Sequence, residues 1–287
     1  MKKIIMTTLI GISVIGFSLT NKEIIEQGGV RQKQTFDKYF NGTAEKSKRD
    51  PNLLNKVYPE IVLGLYNRNK QTFDNELSKL GKMKDGRKNI LKPLFPSFNE
   101  YISENLMFSK SFLLSFLEEK DDFQSYIYTT TFIGLENFYL NMNTVIEAEK
   151  NENSLEENVN TIIAYLYHSG DEKTKEDYMN MTDSELDRLV SNEFMKLNSE
   201  IDKKILSGNS KVRKHGNSVK SSLRKTEKLY NKYQENFDAY INSSRLKPES
   251  KEKIKKMIKF EKLSDLKFLI QSLKKPEVEE NGQQQQQ

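Results

Sequence analysis

From Leu53 to Leu273 apolar side chains return every third or fourth position, and this spacing is what most limits how the chain can fold. A period near 3.6 gathers them on one stripe of a helix, whereas a strand needs strict alternation. The stripe runs through Leu53, Leu54, Val57, Ile61, Leu65, Tyr66, Phe73, Leu77 and Leu80, and stops at Gly81. It resumes at Phe98, Tyr101, Ile102, Met107, Phe108, Phe112 and Phe116. A third set is Leu186, Leu189, Val190, Phe194, Leu197, Ile201 and Ile205, and a fourth is Val212, Val219, Leu223, Tyr230, Tyr233, Phe237 and Ile241. Ile254, Met257, Ile258, Phe260, Leu263, Leu266, Leu269, Ile270 and Leu273 form the last. The expected fold is all-α, an antiparallel bundle of about seven helices with a long C-terminal helical hairpin at residues 183–242.

Local signals mark where these helices begin and end. Asp50-Pro51 pairs a capping side chain with a proline at the first turn. Pro59 should kink or split the helix that follows, because it lacks a donor and crowds the preceding turn. Residues 81–96 hold Gly81, Gly86, Pro93 and Pro96 and read as a linker. Capping boxes, a Ser or Thr followed three residues later by Glu, stand at Ser97–Glu100, Ser154–Glu157 and Thr182–Glu185. Pro248 opens the final helix and Pro276 closes it. These signals divide the chain into residues 1–20, an N-terminal helical segment at 21–96, a main bundle at 97–275 and a glutamine-rich tail at 276–287.

The segment from Phe123 to Lys150 is apolar on every side in its first half, which places it at the centre of the bundle. Its β-branched and aromatic cluster at Tyr126–Ile133 also suits a strand. The absence of any turn signal across 123–150 favours the helix.

Residues 1–20 suggest export. Lys2 and Lys3 precede an uncharged run from Ile4 to Leu19, shorter than the roughly 20 residues of a full membrane span and suited to a signal peptide. Two readings stay open: cleavage near residues 18–20, or retention as an N-terminal anchor. Either places the body in a secreted, periplasmic or cell-surface location, with the membrane touched only through this segment.

Composition removes several chemistries. With no cysteine there are no disulfides, thiolate zinc sites or thiol catalysis. Only two histidines exist: His168 reads as a helix-end residue and His215 lies in a basic run. Phosphate-binding loops, dinucleotide fingerprints, metalloprotease helices and nucleophile elbows are missing from the sequence. No cofactor and no metal is expected.

Charge is distributed unevenly. Residues 100–205 carry 9 basic and 22 acidic side chains, whereas residues 206–275 carry 19 basic and 7 acidic. Either the two stretches pack on one another, or the basic one faces an anionic partner. At 100° per residue, Lys220, Arg224 and Lys228 share a line with Arg213 close by, roughly opposite Leu223, Tyr230 and Phe237. These four residues form the candidate binding site, for a protein, a lipid headgroup or an envelope polymer. Nucleic acid fits less well, because the aromatics lie on the apolar stripe and not among the basic residues. The expected function is that of an exported or membrane-anchored helical binding protein. The alternative is an envelope-polymer hydrolase working through paired carboxylates, whose spacing a sequence does not reveal.

Overall fold

The structure, a computed structural model, describes residue 26 and residues 51–83, 85–116, 123–166, 180–208 and 210–274. The leader, His168 and the tail lie outside the described residues. The described chain is helical, with no strand. The helices are α1 (Pro51–Gly81), α2 (Arg87–Leu91), α3 (Leu94–Phe116), α4 (Phe123–Lys150), α5 (Leu155–Leu166), α6 (Asp183–Ser207), α7 (Ser210–Ser243) and α8 (Pro248–Lys274). A 3-10 turn, Glu152–Ser154, precedes α5. Seven of the eight are long, and α2 is a single turn inside the 81–96 stretch.

Side-chain contacts fix the helix directions. Phe95 and Phe98 of α3 meet Phe138 of α4, while Ile102 lies against Gly134, so α3 and α4 are antiparallel. Tyr66 and Phe73 of α1 meet Phe95, and Asn99 donates to the Tyr66 hydroxyl, so α1 opposes α3 as well. On α7, Tyr233 meets Phe98 while Ser222 and Lys225 reach Glu104, which again makes the pair antiparallel. Asp202 with Lys220 and Asp187 with Gln234 set α6 against α7. Thus α1, α4 and α7 run one way, and α3, α5, α6 and α8 the other. The hairpin of α6 and α7 is the one expected at 183–242, and α7 at 34 residues is roughly 50 Å long.

One continuous core runs from Phe73 to Leu273. It includes Leu91 and Leu94, so residues 81–96 contribute to the same interior as the helices on either side. Helix α4 is buried around most of its circumference between Leu135 and Ala148, and the chain at 126–133 is helix and not strand. Its neighbour α3 approaches closely: a Cβ on Gly134 would stand 2.4 Å from Ile102 Cδ1.

Two of the three capping boxes do not cap. Leu94 and Phe95 enter the core, which starts α3 three residues before Ser97. Ser97 is therefore inside the helix, its hydroxyl donating to the Leu94 carbonyl at 2.8 Å, and Glu100 is left to pair with Lys232. Pro96 is tolerated because it falls in the first turn, where no intrahelical donor is needed. Before α5, Asn151 caps the 3-10 turn and the Ser154 hydroxyl donates back to the Asn151 carbonyl. Thr182 and Glu185 do form the reciprocal box, at 3.2 Å from the Glu185 amide and 2.7 Å from the Thr182 amide. Pro59 is exposed, and α1 continues through it to Gly81.

Candidate functional site

Helix α7 carries the basic line that the sequence singled out, and its four members differ in their surroundings. Arg213 is exposed beside the turn into α7, its Nε donating to the Gly208 carbonyl at 2.9 Å. Lys220 is half-buried, and its Nζ pairs with Asp202 of α6 at 2.5 Å. Arg224 and Lys228 are exposed and meet no acidic side chain among the described residues. Both line an open depression of about 620 Å³ that also involves Glu227, Leu229, Asn231, Lys232 and Glu235.

Much of the charge asymmetry is absorbed inside the molecule. Lys225 pairs with Glu104 at 2.5 Å, Lys232 with Glu100 at 2.7 Å, Lys247 with Glu152 and Lys253 with Glu156, both at 3.3 Å. Each joins the basic C-terminal stretch to the acidic middle stretch. Exposed pairs of this kind contribute little singly, about 0–1 kcal/mol, and as a set they favour one arrangement of helices over others. Arg213, Arg224 and Lys228 stay outside that network.

A second polar feature lies deep in the bundle, where the sequence reading placed only apolar stripe. On α8 every residue from Met257 to Leu263 is buried, including Lys259, Glu261 and Lys262. Lys259 lies between Asp183 at 2.6 Å and Asp187 at 2.7 Å of α6. Burial pulls its ammonium down, but the two carboxylates outweigh that and hold its pKa above the usual lysine value. Lys262 donates to the Tyr101 hydroxyl at 3.2 Å and stands 5.4 Å from the centre of the Phe194 ring. Here burial wins, and the lysine pKa is lowered. Glu261 accepts from Asn141 Nδ2 at 3.1 Å, while burial pushes its carboxyl pKa well above the usual range. Tyr101 and Tyr233 stack at 5.7 Å, and burial raises the phenols of both and of Tyr230.

The signal for this centre was present in the sequence. At 100° per residue, the apolar residues of α8 fall on every side of the helix and not on one stripe. In α8 that enclosure holds for the middle, Met257 to Leu263, whatever lysines stand there. Among the described residues no group of three or more His, Cys, Asp or Glu is placed to hold a metal ion.

Asp238 on α7 links the two features. Burial raises its carboxyl pKa to about 6, Lys259 and Lys255 pull it back, and Asp183 and Asp187 add to the rise. Because the folded value is above that of the unfolded chain, its contribution to stability is complete below about pH 4. It is lost as pH rises through about 6. Asp238→Asn is therefore expected to melt higher than the parent at pH 8, by on the order of 1 kcal/mol once the partial exposure of the site is allowed for. The difference should close at pH 4. Melting curves of both proteins at the two pH values measure it, and an equal difference at both would remove the carboxyl as its source.

No protein-family model matches this chain, and neither the curated proteins nor the solved structures contain a significant match.

Proposed function

We propose that this chain is an exported or membrane-anchored binding protein without catalysis, whose α7 face engages an anionic partner outside the cytoplasm. The observation that carries the reading is the contrast within one helix. Lys220, Lys225 and Lys232 have acidic partners from α6 and α3, whereas Arg213, Arg224 and Lys228 present their charge to solvent with none. Export rests on residues 1–20, with Lys2 and Lys3 ahead of the uncharged run to Leu19. No helix among the described residues is long and apolar enough to cross a membrane, so membrane contact of the spanning kind would fall to that segment.

The hydrolase alternative gains less support. The carboxylates at the α7 depression, Glu227 and Glu235, are eight residues apart on one helix, about 12 Å of rise. Inverting glycosidases hold theirs roughly 6.5–9.5 Å apart and retaining ones closer still. The interior carboxyl Glu261 is enclosed, with Asn141 as its donor, and lies away from the α7 depression.

Capture from whole cells tests the reading. The wild-type chain is expected to retain its partner at low ionic strength and release it as salt rises, because contact through exposed charges is screened beyond about 8–10 Å at physiological strength. The triple variant Arg213→Glu, Arg224→Glu, Lys228→Glu should retain none. A partner held equally by both proteins at every salt concentration would place the binding surface elsewhere.

A further inference from the structure

The turn between α6 and α7 combines two features that a purely electrostatic face does not need. From Lys203 to Thr226 the chain has no acidic residue, while Lys203, Lys204, Arg213, Lys214, Lys220, Arg224 and Lys225 all carry positive charge. Within that stretch lies Leu206, 80% exposed, the most exposed of the large hydrophobic side chains among the described residues. A single exposed leucine is ordinary on a protein surface. This one stands in the last turn of α6, at the end of the longest hairpin, with Lys203 one turn before it and Arg213, Lys214 and His215 exposed just across the loop.

The facing ends of α6 and α7 are packed together. Ile205 packs against Gly216 so closely that a Cβ there would stand 2.2 Å from Ile205 Cγ1. Arg213 closes over the turn through the Gly208 carbonyl. Ile205 is thus turned inward by contact with α7, and its neighbour Leu206 is turned out. The nearest acids on α6 are engaged, Glu200 by Lys203 and Asp202 by Lys220. The helix directions put the end of α3 at this same level, where Leu114 is 40% exposed.

We infer that the α6–α7 tip docks on an anionic lipid surface, with Leu206 entering the headgroup region and the surrounding lysines and arginines held at the phosphates. This rests on the reading of α7 as an anion-binding face and adds the class of partner. A soluble polyanion would be recognised by charge alone. A bilayer is the partner for which an outward apolar side chain ringed by cations is complementary, since each exposed cation gains from the negative surface and the leucine gains from leaving water.

The chain has no tryptophan, so Leu206→Trp makes a single reporter in the full-length protein. Vesicles of phosphatidylcholine with about three-tenths phosphatidylglycerol are the probe. The expected result is a blue shift of the tryptophan emission with these vesicles and none with neutral ones. Leu206→Asp should weaken vesicle binding about tenfold or more, with its melting temperature unchanged because the position is exposed. Vesicle binding without an emission shift overturns insertion at the tip. Binding to soluble polyphosphate but not to vesicles overturns the lipid partner and leaves the anion-binding face standing. Binding to neither overturns both.

Discussion

Phe138→Ala is expected to lower the melting temperature by about 10 °C, the largest effect of any single truncation in the bundle. The Phe138 ring stacks on Phe98 with centroids 4.2 Å apart and touches Phe95, Tyr233 and Phe237 within 6.5 Å. Those neighbours come from α3 and α7, so this one side chain of α4 joins three helices. Removing it forfeits the transfer energy of a buried ring and leaves a cavity that rigid helix backbones cannot close, together about 3–5 kcal/mol. For a chain of this size each kcal/mol moves the midpoint by about 2–4 °C. Phe268→Ala on α8 is the control, because that ring is half exposed. Thermal melts of the two variants measure the contrast. Equal small shifts would mean that the aromatic stack does not organise the core.

Arg87→Met should cost about 3–5 kcal/mol, and adding Glu149→Met should recover most of it. Arg87 Nη2 donates to Glu149 Oε1 at 2.6 Å, with the two side chains only 6% and 8% exposed. The same carboxylate oxygen accepts from the Arg245 amide at 2.9 Å, so this pair ties α2, α4 and the turn before α8 together. Taking away the guanidinium leaves a carboxylate out of water with one backbone donor. Taking away both charges leaves two uncharged thioether side chains of similar length and no buried charge of the pair without its partner. Urea denaturation of the single and double variants gives the comparison. If the double variant is as unstable as the single, the uncompensated charge is not the cause.

The helices could be read from the sequence because each has a long stripe and a chemical stop. Gly81 ends α1 and Pro248 opens α8 for reasons that act within a few residues. The start of α3 could not be read this way. Ser97 and Glu100 satisfy the local rule, but burying Leu94 and Phe95 stabilises the fold more than a cap does, and the helix extends backwards to include them. The interior of α8 was obscured by its own lysines. Their spacing suggests a solvated face, and only the distribution of apolar residues around the helix points to a middle, Met257 to Leu263, that is enclosed on every side.

The basic line on α7 was legible as geometry and not as environment. One helix wheel places Lys220 with Arg224 and Lys228, but Asp202, which neutralises Lys220, belongs to the other arm of the hairpin. The exposure of Leu206 was hidden for a similar reason. In sequence it continues an apolar pair with Ile205, and it is the contact between Ile205 and Gly216 that decides which of the two turns outward.

The separation between charges used for folding and charges left for a partner is tested most directly on the triple variant Arg213→Glu, Arg224→Glu, Lys228→Glu. Its melting temperature and its retention of the anionic partner are measured side by side with the wild type. Because none of the three has an acidic contact to lose, the melting temperature should stay within about 2 °C, as surface substitutions usually do, while the partner is lost. A melting temperature that falls well beyond that, with binding unchanged, would show that the α7 face is part of the internal ion pairing and serves no external partner.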